Sequence, residues 1–238
     1  MNNSSGNSAR LIGAGLRALL VLTVICGVLY PLAVTGTAQA LFSDKANGSQ
    51  IKDGSGKVVG SSLIGQTYHL PKRNPDDPQE AARPDLKWFQ PRPSHGLGAN
   101  SVNTQYSILV SGATNRSADN GAVNGSCPKS AEEGTLCAQV VAAKDAVIAD
   151  NSTASYTVRA EDVPADAVTS SGSGLDPHIS PAYAELQVHR VAEQNELDVK
   201  QVEKLVEDHT EGRTLGFMGE PRVNVLALNT ALKALSES

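Results

Sequence analysis

The sequence predicts an α+β fold: a single N-terminal transmembrane helix followed by one extracytoplasmic domain with a small sheet and several helices. Three observations carry this. Leu11 to Val34 reads LIGAGLRALLVLTVICGVLYPLAV, with Arg17 as its only charge. A turn at Asp53 to Gly56 is flanked by short strand patterns. The last third of the chain shows helical periodicity with cap signals at each start. The 238 residues carry a formal net charge of -5, which argues against a nucleic-acid partner, since that would want a clustered basic face. Aromatics are 4%, so the core must rest on Val, Leu, Ile and Ala.

The apolar run approaches the ~20 residues that cross a hydrocarbon layer of ~30 Å. A helix satisfies its own backbone there. Arg17 can snorkel to one interface, and Tyr30 suits the aromatic belt at the other. Ala38-Gln39-Ala40 keeps a cleaved signal peptide as the rival. The run exceeds a usual signal core of roughly 7–15 residues, which favours a retained anchor. Arg10 and Arg17 lie on the N-terminal side, and no acid precedes the span. The positive-inside rule then makes 1–10 a cytoplasmic tail, 11–34 the transmembrane helix and 35–238 the outer domain. That compartment permits disulfides. Cys127 and Cys137 flank PKSAEEGTL, so a bridge would staple a loop; two free thiols are the alternative. Cys26 reads as a small apolar residue within the membrane.

In the outer domain, Ser49–Ile51 and Lys57–Ile64 form the expected hairpin. The stretch 71–130 is loop-rich: Pro71 to Pro93 is too proline-dense for helix or central strand, and Ser111 to Ser130 is mostly Gly, Asn, Ser and Ala. Trp88 and Phe89 are expected to pin the proline-rich loop to the domain. A helix is expected from Thr135 to Ile148, with Leu136, Val140, Ala143 and Val147 on one face. A short strand is expected at Ala167–Thr169. C-terminal helices follow at about 181–195, 199–210 and 225–236. Their caps are Ser180 before Pro181, Asp198 with Gln201 as a capping box, and Asn224. Ala184, Val188 and Val191 share one face of the first, and Val202, Leu205, Val206 and His209 line the second. Gly212 is the expected stop of the second. Val225, Leu228, Leu232 and Leu235 line the third. Arg213 is expected to pair with Asp176 or Glu220.

The most chemically suggestive stretch is SSGSGLDPHISP, from Ser170. Ser173, Asp176 and His178 are the residue types of a hydrolase triad. Triad members normally come from distant parts of a chain, and no G-x-S-x-G elbow is present. Ser171-Gly172-Ser173-Gly174 precedes a helix, where anions are attracted, but no Gly-Lys-Ser/Thr follows. His69, His95, His178, His189 and His209 are scattered without metal-ligand spacing. The stretch therefore reads as a partner-contact loop built on Ser171, Gly172, Ser173, Gly174, Asp176 and His178.

Several separated motifs resemble one family. LYPLAVTGTAQALF at Leu29–Phe42, GKVVGSSLIGQ at Gly56–Gln66, RPS at Arg92–Ser94, TSSGSGLDPHISPAYAELQVHRVA at Thr169–Ala192 and VEDHTEGRTLGFMGEPRVNVLALN at Val206–Asn229 are similar to signatures of the C subunit of the Kdp potassium-transporting ATPase. The middle departs, reading SGATNRSADN where that family usually has a longer Gly-Asn-rich run. The resemblance implies a non-catalytic accessory subunit of an ATP-driven potassium uptake complex in the bacterial cytoplasmic (inner) membrane. Its implied partners are a potassium-channel-like subunit and a P-type ATPase subunit, with a small single-span subunit as a further candidate. The complex is implied to use ATP, magnesium and potassium, with no cofactor bound by this chain. The alternative role is a catalytic chaperone that raises the ATP affinity of the ATPase subunit. The expected orientation, N-terminus inside and C-terminal domain outside, speaks against that alternative.

Overall fold

A computed structural model of the chain describes residues 4–237 apart from 75, 78–79, 81, 95–96, 98–110, 113–120, 124–125 and 133–134. The chain divides into two compact units, Met1–Gln50 and Ile51–Ser238.

The first unit is helical almost throughout. Helix α1 is Ser4–Val24, a π-helical turn covers Ile25–Leu29, α2 is Tyr30–Leu41, and a short α3 is Ser43–Ala46. Asn7–Leu41, 35 residues, is long and apolar enough to cross a membrane. Leu19, Leu22 and Leu29 on this helix are exposed, as side chains facing lipid would be. The helix runs on past Val34, and Ala38-Gln39-Ala40 lies inside α2. Pro31 explains the wide turn. Its missing N–H cannot reach back to a carbonyl in the preceding turn, and its ring crowds that turn. The Tyr30 N–H instead reaches Ile25 O, one residue further than in an α-helix, and the helix continues.

The second unit opens with strands β1, Gln50–Lys52, and β2, Val58–Ser61, which pair with each other. Asp53 shapes the turn: one carboxylate oxygen accepts from Ser55 N at 3.0 Å, Ser55 Oγ at 2.6 Å and Lys57 N at 3.0 Å. Helix α4 is Leu136–Asn151, starting one residue later and ending three residues further on than the sequence suggests, with Thr135 capping Ala138 N. Its buried face is Cys137, Val147 and Asn151, while Leu136 points outward. Cys137 is bonded to Cys127.

The strand expected at Ala167–Thr169 is instead helix α5, Ala165–Val168. Pro164, extended at its N-cap, launches the turn, and Asp166 is held by Ser180, whose N–H and Oγ donate to it at 2.7 and 2.9 Å. Strand β3, His178–Ile179, leads to α6, Pro181–Gln194, capped by Ser180. Helix α7, Val199–Asp208, starts with the full capping box of Asp198 and Gln201. Gly212 is not its stop. The helix ends at His209, where His209 Nδ1 lies 2.9 Å from Leu205 O and Thr210 Oγ1 donates to Val206 O at 2.7 Å. The chain then turns straight into β4, Thr210–Glu211. Strand β5, Arg222–Asn224, feeds α8, Val225–Ser236, capped by Asn224.

Strand β5 is central, with β3 and β4 antiparallel on either side, so Val223 faces both Ile179 and Thr210. Ile179 and Val223 join Ala184, Val188 and Val191 of α6, Val202 and Val206 of α7, and Leu228 and Leu232 of α8 in one core. Phe89 is fully buried there and Trp88 packs at its edge.

The segment around Phe89 has no strand partner, yet each of its backbone carbonyls from Leu86 to Gln90 is bound by a side chain. Arg190 donates to Leu86 O, and to Trp88 O at 3.0 Å. Asn195 Nδ2 donates to Lys87 O at 2.8 Å. Asn229 pairs with both polar groups of Phe89, each at 2.9 Å. Gln187 does the same for Gln90, at 2.7 and 3.1 Å. Arg190 also donates to Asn151 at 2.8 Å and to Gln187 at 2.7 Å, so it ties α4, α6 and the loop together.

Arg190 is 2% exposed. Burial lowers its pKa to about 10, so it stays protonated at neutral pH, solvated by neutral oxygens. Removing it strands several buried acceptors together. Arg190→Ala is expected to lower stability by about 3 kcal/mol, with Arg190→Lys a poor substitute because the planar fork is lost. Urea unfolding of the full chain in detergent checks this, and a loss below about 1 kcal/mol contradicts it.

Candidate functional site

The clamped segment delivers Arg92 and Pro93 to the Ser170 loop. Pro93 O accepts from Ser171 N at 2.8 Å. Arg92 Nη1 donates to Asp176 Oδ2 at 3.2 Å, and its Nη2 reaches Thr169 O and Ser170 O, each at 3.4 Å. The RPS motif and the Ser170 loop are thus halves of one junction. Asp176 pairs with Arg92 rather than with Arg213, which instead pairs with Glu220 at 2.7 Å.

Inside the loop the small residues have separate tasks. Buried Ser171 accepts from Gly174 N at 3.0 Å and shares a 3.1 Å bond with Ser173 Oγ. Ser173 Oγ accepts from Leu175 N at 3.1 Å. Gly174 holds φ at 71°, a left-handed conformation that suits glycine. Gly172 is exposed. Ser173 O receives Gly112 N at 2.8 Å and Ser111 Oγ at 3.1 Å.

A second backbone lies against the loop. Gly65 N donates to Leu175 O at 2.9 Å, and a Cβ at Gly65 would sit 2.5 Å from Asp176 O. Pro177 O accepts from Val225 N at 3.0 Å, joining the loop to the start of α8.

The structure therefore brings Asp176 and His178 together and turns Ser173 toward Ser171. Asp176 Oδ1 accepts from His178 N at 3.0 Å, and the His178 ring lies beside it, with Nδ1 3.6 Å from the same oxygen. The His178 ring and backbone N–H, with Arg92 behind them, hold the Asp176 carboxyl below its ordinary value of 3.8, against the opposing effect of burial. The carboxylate is committed to Arg92 and His178, and Ser173 to its own loop. The arrangement closes a turn and launches a helix; it does not align a nucleophile with a base. Among the described residues, no group of three or more His, Cys, Asp or Glu side chains is placed to hold a metal ion. His95 lies outside the described residues.

Sequence reading missed the partners of this loop. Arg92 and Gly65 are visible in the sequence only as parts of two separate motifs. The Arg92–Asp176 contact spans 84 positions and the Gly65–Leu175 contact more still, and local pattern carries no record of them.

A family model described as "KdpC: K+-transporting ATPase, c chain" matches residues 12–234. The chain belongs to the KdpC family. It is 66% identical over 235 residues to the potassium-transporting ATPase KdpC subunit of Streptomyces avermitilis, covering 99% of this chain and 98% of that one. The KdpC subunit of Streptomyces coelicolor is 60% identical over 235 residues, covering 99% and 97%. That of Mycobacterium tuberculosis is 40% identical over 220 residues, covering 92% and 96%. The KdpC match includes the apolar helix, the hairpin, the Arg92 junction and α6 to α8, and the helix fits a single-pass membrane protein.

Because its folded pKa is depressed, Asp176 contributes stability that is present above its ordinary pKa and is lost as pH falls through the folded value. Asp176→Asn is expected to lower the melting temperature at pH 7, with the gap to wild type closing below about pH 4. Thermal unfolding of both proteins at pH 7 and pH 3 checks this. A gap that stays constant contradicts the junction's ionic character.

Proposed function

We propose that this chain is a non-catalytic accessory subunit of an ATP-driven potassium uptake complex in the bacterial cytoplasmic membrane. The observation that carries the reading is the KdpC family match over residues 12–234. Its helix anchors it among partner subunits, a potassium-channel-like subunit and a P-type ATPase subunit, with a small single-span subunit as a further neighbour. Its second unit lies on the outer face and stabilises their assembly. ATP, magnesium and potassium are used by the complex, with the catalytic site on another subunit.

Two features support the orientation. Arg10 and Arg17 lie at the N-terminal end of the span, as the positive-inside rule asks of a cytoplasmic end. The Cys127–Cys137 disulfide suits an oxidising compartment. The same orientation disfavours the catalytic-chaperone reading, because a nucleotide pocket filled from the cytoplasm would lie across the membrane.

Truncating the chain after Gln50, at the boundary between its compact units, tests the role. Potassium-stimulated ATP hydrolysis by the purified complex is expected to be lost, through failed assembly or failed turnover. Full activity with the truncated chain contradicts the proposal.

A further inference from the structure

Where α4, α5 and α6 meet the clamped loop, a cleft of about 360 Å³ opens. Its walls are partly apolar, with Ala143 and Val147 of α4 and Ala167 of α5 lining it. Three polar side chains that also line it, Asp150, Tyr183 and Arg190, are left with bonding capacity unused.

Tyr183 is 4% exposed, and its hydroxyl has no hydrogen-bond partner among the described residues. A buried tyrosine hydroxyl normally finds one. Burial pushes its pKa up to about 12, so the group is a donor at neutral pH. Asp150 is half-buried, and its carboxylate also has no hydrogen-bond or ion-pair partner among the described residues. Desolvation holds this carboxyl above its ordinary value of 3.8, against the opposing pull of Arg190. Arg190 donates from Nε to Asn151, from Nη1 to Leu86 O and Trp88 O, and from Nη2 to Gln187. A guanidinium has one further N–H, on Nη2, and here it has no partner among the described residues.

Charge selects the occupant. Arg92 lines the cleft as well, with its own charge paired to Asp176. A bare anion would meet the Asp150 carboxylate, and a bare cation would meet two guanidiniums. Water can satisfy the polar groups, but it needs polar neighbours on several sides, and the alanine and valine walls supply none. A molecule with a positive end for Asp150, a negative end for Tyr183 and Arg190, and a small apolar group for the walls matches every side. The volume lies at the lower end of the range for small-molecule sites, about 300–1,000 Å³.

We propose that this cleft binds a small apolar α-amino acid as its zwitterion. The ammonium sits on Asp150, and the carboxylate accepts from the Tyr183 hydroxyl and the remaining Nη2 hydrogen of Arg190. The site belongs to this chain alone and goes beyond the accessory-subunit reading, so either can fail without the other.

L-valine is the probe, with its two halves as controls: isobutylamine lacks the carboxylate and isovalerate lacks the ammonium. Titration calorimetry on the full-length chain in detergent at pH 7 is expected to give a Kd for L-valine below about 1 mM, with each half at least about tenfold weaker. Tyr183→Phe and Asp150→Asn are each expected to weaken L-valine binding by at least about tenfold. Neither substitution breaks a side-chain bond seen in the structure, so the melting temperature of the unliganded chain is expected to stay level or rise. If Tyr183→Phe does not fold, Asp150→Asn carries the same comparison. Absence of L-valine binding, a half that binds as well as the whole, or full affinity in the variants overturns the proposal. So does a crystal structure grown with L-valine that shows only water in the cleft.

Discussion

The backbone from Leu86 to Gln90 runs through the edge of a hydrophobic core without a strand beside it. A buried carbonyl without a partner is costly, so this segment can occupy its place only if side chains supply what a sheet would have supplied. Arg190, Gln187, Asn195 and Asn229 do so. The guanidinium is the demanding member. It is a buried cation without a hydrogen-bonded carboxylate among its described contacts, stabilised by the oxygens of Asn151, Gln187, Leu86 and Trp88. Each of those groups depends on the others, so the network is far more stable complete than partial.

The rest of the domain is organised around that clamp. Phe89 fills the core because its own backbone is held by Asn229. A short step along the chain, Arg92 and Pro93 arrive fixed, and they hold Ser171 and Asp176. Asp176 then receives the backbone of His178 at the start of β3, whose partner β5 runs directly into α8 and so back to Asn229. The loop that resembles an active site is the closing link of this circuit. Its aspartate and its backbone hold chain segments distant in sequence, while the Ser173 hydroxyl braces the loop itself.

Helices in the last third were legible because caps and periodicity are local. Asp198 with Gln201, Ser180 with Pro181, and Asn224 each act where the sequence places them. The apolar run was legible by length, though its continuation to Leu41 depends on a π-turn that absorbs Pro31. The strand expected at Ala167 was lost to a helical turn because Asp166 answers to Ser180, fourteen residues away, rather than to a neighbouring strand. Strands of two or three residues leave too little alternation to read, so the β3–β5–β4 sheet was not foreseen in detail. Gln187 and Arg190 of α6 carry no local signal of the backbone they bind. A glutamine at i+3 from Ala184 is all the sequence shows, and its meaning requires the loop it binds.

These features describe a chain built to hold its own shape and offer surfaces, consistent with an accessory role in a transport complex. The proposed topology puts the clamped domain on the outer face of the membrane, opposite the nucleotide. The most direct measurement places one cysteine on the exposed side of α7, Glu207→Cys in a Cys26→Ser background, and treats intact cells with a membrane-impermeant maleimide. That topology predicts labelling without permeabilisation. Labelling that appears only after the cells are opened would contradict it.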